Sequence, residues 1–132
     1  MKALYYQPSC GIAGDMHLAA MVDLGMPQSY LDQLLARLPL QDQFELSFEA
    51  ASKMGVSGLR AHVAVSEQTD HRHHSTILRM IKEANLPGAI TARAIDMFGL
   101  IAAAEGKIHN VPPDKVHFHE VGAIDAPVDV VG

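Results

Sequence analysis

FELSFEAASKMGVSGLRAHVAV, residues 44–65, decides the fold class. Phe44, Leu46 and Phe48 alternate with Glu45, Ser47 and Glu49, the period of a half-buried strand. Leu59, Ala61, Val63 and Val65 alternate with Arg60, His62, Ala64 and Ser66 in the same way. Gly55 and Gly58 between them supply a turn or kink. Two such strands joined at short range predict an antiparallel hairpin with one apolar face.

Working outward, helical periodicity takes over on both sides. Met16 to Leu24 reads as a helix ended by Gly25 at its C′ position. Pro27 opens a second helix with Tyr30, Leu31, Leu34, Leu35 and Leu38 on one face, and Pro39 stops it. Downstream, Ser66 to Ser75 is wholly polar. A helix follows from about Ser75 or Thr76 with Ile77, Leu78, Ile81 and Ala84 inward, interrupted by Pro87-Gly88. A longer helix from Ala89 runs toward His109 and closes at Pro112-Pro113. Ala3 to Tyr6 and Val116 to Val121 read as further short strands, with Gly122 turning the chain. The order β-α-α-β-β-α-α-β predicts an α+β (mixed α/β) fold, about four strands packed with about four helices.

Composition narrows the class. The chain has 132 residues, 48% hydrophobic and 19% charged, enough apolar material for the core of one domain. Ten Lys and Arg against 15 Asp and Glu give −5 with no basic run, which argues against nucleic acid as a partner. The single cysteine, Cys10, forms no internal disulfide and suits a reducing, cytoplasmic compartment. No apolar run reaches the ~18 residues of a membrane span, so no membrane partner is expected. The Val-Asp-Val-Val-Gly ending is abrupt, and residues 1–132 are expected to be a single N-terminal domain of something longer.

Eight histidines are the oddity, five of them in two clusters: His71, His73 and His74, then His117 and His119. On a strand His117 and His119 point to one face, presenting two imidazoles to a borderline divalent ion such as Ni²⁺, Zn²⁺ or Co²⁺. Glu120 beside them offers a carboxylate ligand or an orienting partner. The polar loop holding His71–His74 suits metal capture and, equally, plain solvation. Glu105 and His109 lie four apart near a helix end, where a pair could serve a metal or simply answer the helix dipole. Asp125 and Asp129 are also four apart. In a helix after Gly122 they share a face, and capping alone accounts for Asp125. The loop Ser9-Cys-Gly-Ile-Ala-Gly-Asp15 leads into a helix whose N-terminus could receive a phosphate on Gly11 and Gly14. It matches neither nucleotide-binding glycine pattern. Asp15 is a metal ligand or an ordinary N-terminal carboxylate, and Cys10 is a thiolate or a packing residue.

Pro8-Ser-Cys-Gly-Ile-Ala-Gly-Asp-Met16, His71-Arg-His-His74 before a helix, and His117-Phe-His-Glu-Val-Gly-Ala-Ile-Asp125 with Asp129, in this order and spacing, resemble the N-terminal part of the LarC-type nickel insertion proteins. The resemblance covers essentially the whole chain and about the first third of a family member. It implies a nickel chelatase, a lyase-type activity incomplete in this stretch alone. That activity inserts nickel into a pyridinium bisthiocarboxylate mononucleotide to make the nickel-pincer cofactor of lactate racemase. The resemblance further implies CTP with Mn²⁺ or Mg²⁺ in the full protein and a C-terminal part as partner, with a homo-oligomer possible. Two positions depart from the family pattern: Gln7 stands where Asp is usual, and Ser9-Cys10 replaces Phe-Ser.

The expected metal set is thus His117, His119, Glu120, Asp129, Glu105, His109, His71, His73 and His74. Asp15, Glu120 and Asp125 are the expected acid–base groups, and Gly11 and Gly14 the expected cofactor contacts. The competing readings are a nickel storage module without catalysis and a metal-dependent phosphohydrolase using Asp15, His117 and His119.

Overall fold

The computed structural model describes residues 3–40, 42–66, 72–118 and 124–132. The hairpin forms as the alternation predicts, and its strands are longer: β1, Phe44–Lys53, pairs antiparallel with β2, Val56–Val65, from Phe44 opposite Val65 to Lys53 opposite Val56. Only Met54 and Gly55 remain to turn the chain, with φ of 51° and 82°. Positive φ at both central positions is the geometry whose twist matches paired strands. Gly58 lies inside β2, outside the turn. Phe44, Leu46, Phe48, Leu59, Val63 and Val65 share the inner face with the buried Ala61. On the outer face Glu49 meets Arg60 and His62, the latter at 2.9 Å. The His62 hydrogen bond and its charge, then Arg60, hold the Glu49 carboxyl below its ordinary 4.5.

Five α-helices accompany the hairpin: α1 Gly14–Asp23, α2 Gln28–Leu35, α3 His74–Glu83, α4 Gly88–His109 and α5 Asp125–Val131. A 3₁₀ turn spans Pro113–Lys115. The end of α1 confirms the Gly25 stop. Gly25 takes φ 103° while its N–H donates to Val22 O and the Met26 N–H to Met21 O, satisfying orphan carbonyls. Helix α1 covers β2, α3 packs on α4, and α5 touches α1, α2 and α4. Leu18, Leu31, Leu38, Ile77, Phe98, Phe118, Ile124 and Val128 are fully buried between them.

The α+β class holds, but four strands do not: among the described residues there is one two-stranded sheet. Residues 3–7 take no strand structure, and Leu4, Tyr5 and Tyr6 stay exposed. The strand propensity of two tyrosines cannot make a strand without a neighbouring ladder to receive its N–H and C=O groups. In the Val116–Val121 stretch, His117 makes an isolated bridge to His73, and residues 119–121 lie outside the described residues. The extra helix is α5, which the Asp125–Asp129 spacing had left conditional.

Candidate functional site

The two histidine clusters meet. His73 immediately precedes α3, and its backbone bridges that of His117. The His74 N–H donates to Val116 O at 3.2 Å and the Phe118 N–H to Arg72 O at 3.4 Å. These bonds run the two segments alongside each other, so the imidazoles of His73 and His117 lie with centroids 3.5 Å apart, tilted by 48°. Both residues are exposed. Val116 and Phe118, which flank His117, are buried and fix the segment, while the alternation of side chains leaves His117 outward.

His74 turns the other way. It is 8% exposed, with its ring edge-on to Phe118. Its Nδ1 lies 3.2 Å from Pro113 O. A carbonyl only accepts, so Nδ1 carries the proton and donates it. In the neutral ring that leaves the lone pair on Nε2, which is buried and has no hydrogen-bond partner among the described residues. A backbone carbonyl on the far nitrogen is how metal-ligating histidines are commonly oriented.

Carboxylates gather at a second place, where α5 crosses the start of α1. Asp129 packs on Gly14 so closely that a Cβ on Gly14 would collide with the Asp129 carboxyl carbon. Asp129 Oδ1 is buried and has no hydrogen-bond partner among the described residues. Burial, then the charges of Asp125 and Asp15, push its carboxyl up to about 6 from an ordinary 3.8. Asp15 accepts the Met16 N–H at 2.8 Å and Asp125 the Ala126 N–H at 3.0 Å. Asp125 is the first residue of α5, with Ile124 at the cap, so the expected capping role moves one position.

Glu105 and His109 pair with each other at 3.2 Å along α4. Gly106 between them is buried, and a Cβ there would lie 2.7 Å from Val111 O. This glycine weakens the helix locally and admits the return of the chain. Among the described residues no three of His, Cys, Asp and Glu converge as a metal-holding group. His71, His119 and Glu120 lie outside the described residues.

Sequence reasoning did not single out His17. Its Nε2 is hydrogen bonded to Tyr6 Oη at 2.7 Å, tying residues 4–12 to α1. A groove of about 470 Å³ runs between that segment and the helix and includes the exposed Cys10. The only local sign of it is the pair of tyrosines in an otherwise short apolar run.

With this geometry in hand, comparison with known proteins gives the class. Residues 4–132 match the family described as nickel insertion protein. A putative nickel insertion protein of Gloeobacter violaceus is 44% identical over 134 residues, spanning 100% of this chain and 32% of the relative. One from Wolinella succinogenes is 47% identical, over 100% of this chain and 34% of the relative. A pyridinium-3,5-bisthiocarboxylic acid mononucleotide nickel insertion protein of Staphylococcus epidermidis is 43% identical, over 99% of this chain and 33% of the relative. The chain belongs to the nickel insertion protein family, and it spans about a third of the length of these relatives. No solved structure matches it. No helix among the described residues is long and apolar enough to cross a membrane.

Proposed function

We propose that this chain is the nickel-gathering N-terminal part of a cytoplasmic nickel chelatase. That enzyme would insert Ni²⁺ into pyridinium-3,5-bisthiocarboxylic acid mononucleotide to make the nickel-pincer cofactor of lactate racemase. The observation that carries the reading is the contact between His73 and His117, which joins two sequence-distant histidine clusters at one exposed point. Ni²⁺ is cargo here, so the site has to hold it and let it go. Two imidazoles on a backbone-bridged junction give a borderline ligand set with open positions for the substrate's sulfur atoms. His71, His119 and Glu120, in the adjoining segments, would complete the donor set, while His74, buried edge-on to Phe118, stands apart from it.

Carbon–nickel bond formation must release a proton from the pyridinium ring. Glu120, Asp15 and Asp125 are carboxylates available to accept it. Asp129, with its carboxyl pushed up to about 6, gives that cluster a group able to exchange protons near neutral pH.

The full-length reaction is expected to use CTP with Mn²⁺ or Mg²⁺. The loop at Gly11 and Gly14 does not fit a triphosphate: Asp129 packs on Gly14, and Asp15 and Asp125 surround the same helix start with negative charge. CTP binding is assigned to the remainder of a full-length protein.

Calorimetry with tag-free protein tests the reading. The chain is expected to bind about one Ni²⁺ at roughly micromolar affinity, and the His73→Ala/His117→Ala variant at least about tenfold more weakly, since two imidazole ligands are removed. Equal binding by both would sink the assignment of the junction.

A further inference from the structure

Six of the chain's exposed large apolar side chains, Leu4, Tyr5, Tyr6, Ile12, Met16 and Leu24, line one groove, the one between residues 4–12 and α1. Tyr5 is 82% exposed and Leu24 71%. Apolar residues scattered singly over a surface are ordinary, whereas a contiguous set along one groove marks a contact surface. None of the lining side chains is Asp, Glu, Lys or Arg, which disfavours a strongly charged occupant.

The backbone narrows the occupant further. Residues 3–6 carry the strand propensity of two tyrosines. Among the described residues, their N–H and C=O groups make no backbone hydrogen bond to another segment. The nearest such bond, from the Ser9 N–H to Gln7 O at 2.9 Å, is local. Strands β1 and β2 pair only with each other. A row of open donors and acceptors beside apolar side chains is a template for one more strand. The segment is also held in position. Tyr6 Oη lies 2.7 Å from His17 Nε2, and the two rings tilt on each other with centroids 5.5 Å apart. Holding it there lowers the ordering cost of pairing.

This chain spans about a third of the length of its relatives, so each of them carries further polypeptide of about twice this length. A second copy of this chain fits less well, because it repeats the net charge of −5. We propose that residues 3–6 are one strand of a sheet completed by the part of a full-length nickel insertion protein that this chain does not include, with apolar side chains of that part filling the groove against Met16 and Leu24. Main-chain hydrogen bonds supply the affinity in such a pairing, and the uncharged groove selects the alternate side chains. The proposal rests on family membership and length, and it stands apart from the assignment of the histidine junction.

Hydrogen exchange tests it, on this chain and on the intact Wolinella succinogenes relative, 47% identical with it. In this chain the amides of residues 3–6 should exchange at nearly the unprotected rate. In the relative the aligned amides should be slowed at least about a hundredfold, as in ordered strands. Proline sharpens the test. Leu4→Pro and Tyr5→Pro each remove one N–H, and successive N–H groups of a strand point to opposite sides, so one of the two meets the new ladder. Neither should move the thermal midpoint of this chain by more than about 1 °C, since no backbone bond is lost. At the aligned positions of the relative, one of them should lower it by about 4 °C or more.

Fast exchange in both proteins, protection already present in this chain, or proline tolerated at both positions of the relative would each overturn the proposal. Protection in this chain that grows with its concentration would place a second copy on the strand and overturn it as well. Nickel calorimetry on the Tyr5→Pro chain keeps the two readings distinct. Nickel binding should match the parent, so failure of the junction shows in calorimetry alone and failure of this proposal in exchange alone.

Discussion

The histidine junction and the carboxylate cluster are both made by chain segments far apart in sequence, yet they are built in opposite ways. At the junction the backbone does the joining: a bridge between His73 and His117, flanked by main-chain hydrogen bonds, leaves the two rings exposed. At the carboxylate cluster a side chain does it, with Asp129 seated on the bare Cα of Gly14. The first arrangement tolerates loss of its side chains, because the strand-like contact survives them. The second depends on the absence of one. Electrostatically they also differ: the imidazoles can be neutral and ligating, whereas three carboxylates crowd one helix start without a described cation among them.

Four changes break or sharpen this contrast. Gly14→Ala should have the largest effect. The new methyl would have to displace Asp129 and part α5 from α1, costing about 3 kcal/mol, the upper range for overpacking. Asp129→Ala in the same chain should recover most of that loss, measured by denaturant unfolding. If Gly14→Ala unfolds at the same denaturant concentration as the parent, the close contact is absent in solution.

Nickel comes next. At about a hundred times its dissociation constant, Ni²⁺ should stabilise the parent by about 2.7 kcal/mol through binding to the folded state alone. It should not stabilise the His73→Ala/His117→Ala variant. Asp129→Asn should leave this increment intact, and its loss there would mean that the two regions form one site.

Asp129→Asn should itself stabilise the chain at pH 7.5. A carboxyl raised from 3.8 to about 6 prefers to be protonated in the folded state. The folded chain therefore holds a proton between about pH 4 and 6 that the unfolded chain has released. Its contribution to stability rises as pH falls through 6, levels off below 4, and is a penalty at neutral pH. The full shift corresponds to about 3 kcal/mol, and solvent screening of this partly exposed side chain reduces that to about 1 kcal/mol. The Asn variant should accordingly show a higher thermal midpoint at pH 7.5 and a vanishing advantage near pH 4. An equal advantage at both pH values would trace the gain to something other than charge.

Glu105→Gln is the smallest. It removes an exposed i,i+4 pair with His109 worth about 0.3–0.5 kcal/mol. Nickel affinity should not change, because no described third ligand joins His73 and His117 from α4. A drop in nickel affinity would bring the end of α4 into the metal site.

Much of the architecture could be read from the chain. Two-residue alternation at Phe44–Phe48 and Leu59–Val65 specified the hairpin and its inner face, because a one-residue slip would turn Phe44, Leu46 and Phe48 into water. Gly25 and Pro27 marked one helix end and the next helix start through their backbone preferences alone. The Ala3–Tyr6 strand failed for a reason that local pattern does not contain. Its propensity is real, but a strand exists only with a partner, and the described residues offer none. Asp125 missed its cap by one residue, within the usual uncertainty of helix ends.

For the sites, sequence alone determined the inventory: clustered imidazoles, acids four apart, a glycine loop before a helix, and motifs specific enough to place the chain in its family. Tertiary structure decided which of these meet. It set His73 against His117 while separating Glu105 and His109 into a pair of their own, and it put Asp129 on Gly14, where a glycine legible only as loop-forming proves to be a packing requirement. Local periodicity reports which face of an element is buried. Convergence of residues from different elements is set by how those faces pack, through backbone bonds and close contacts between segments that no neighbouring positions encode.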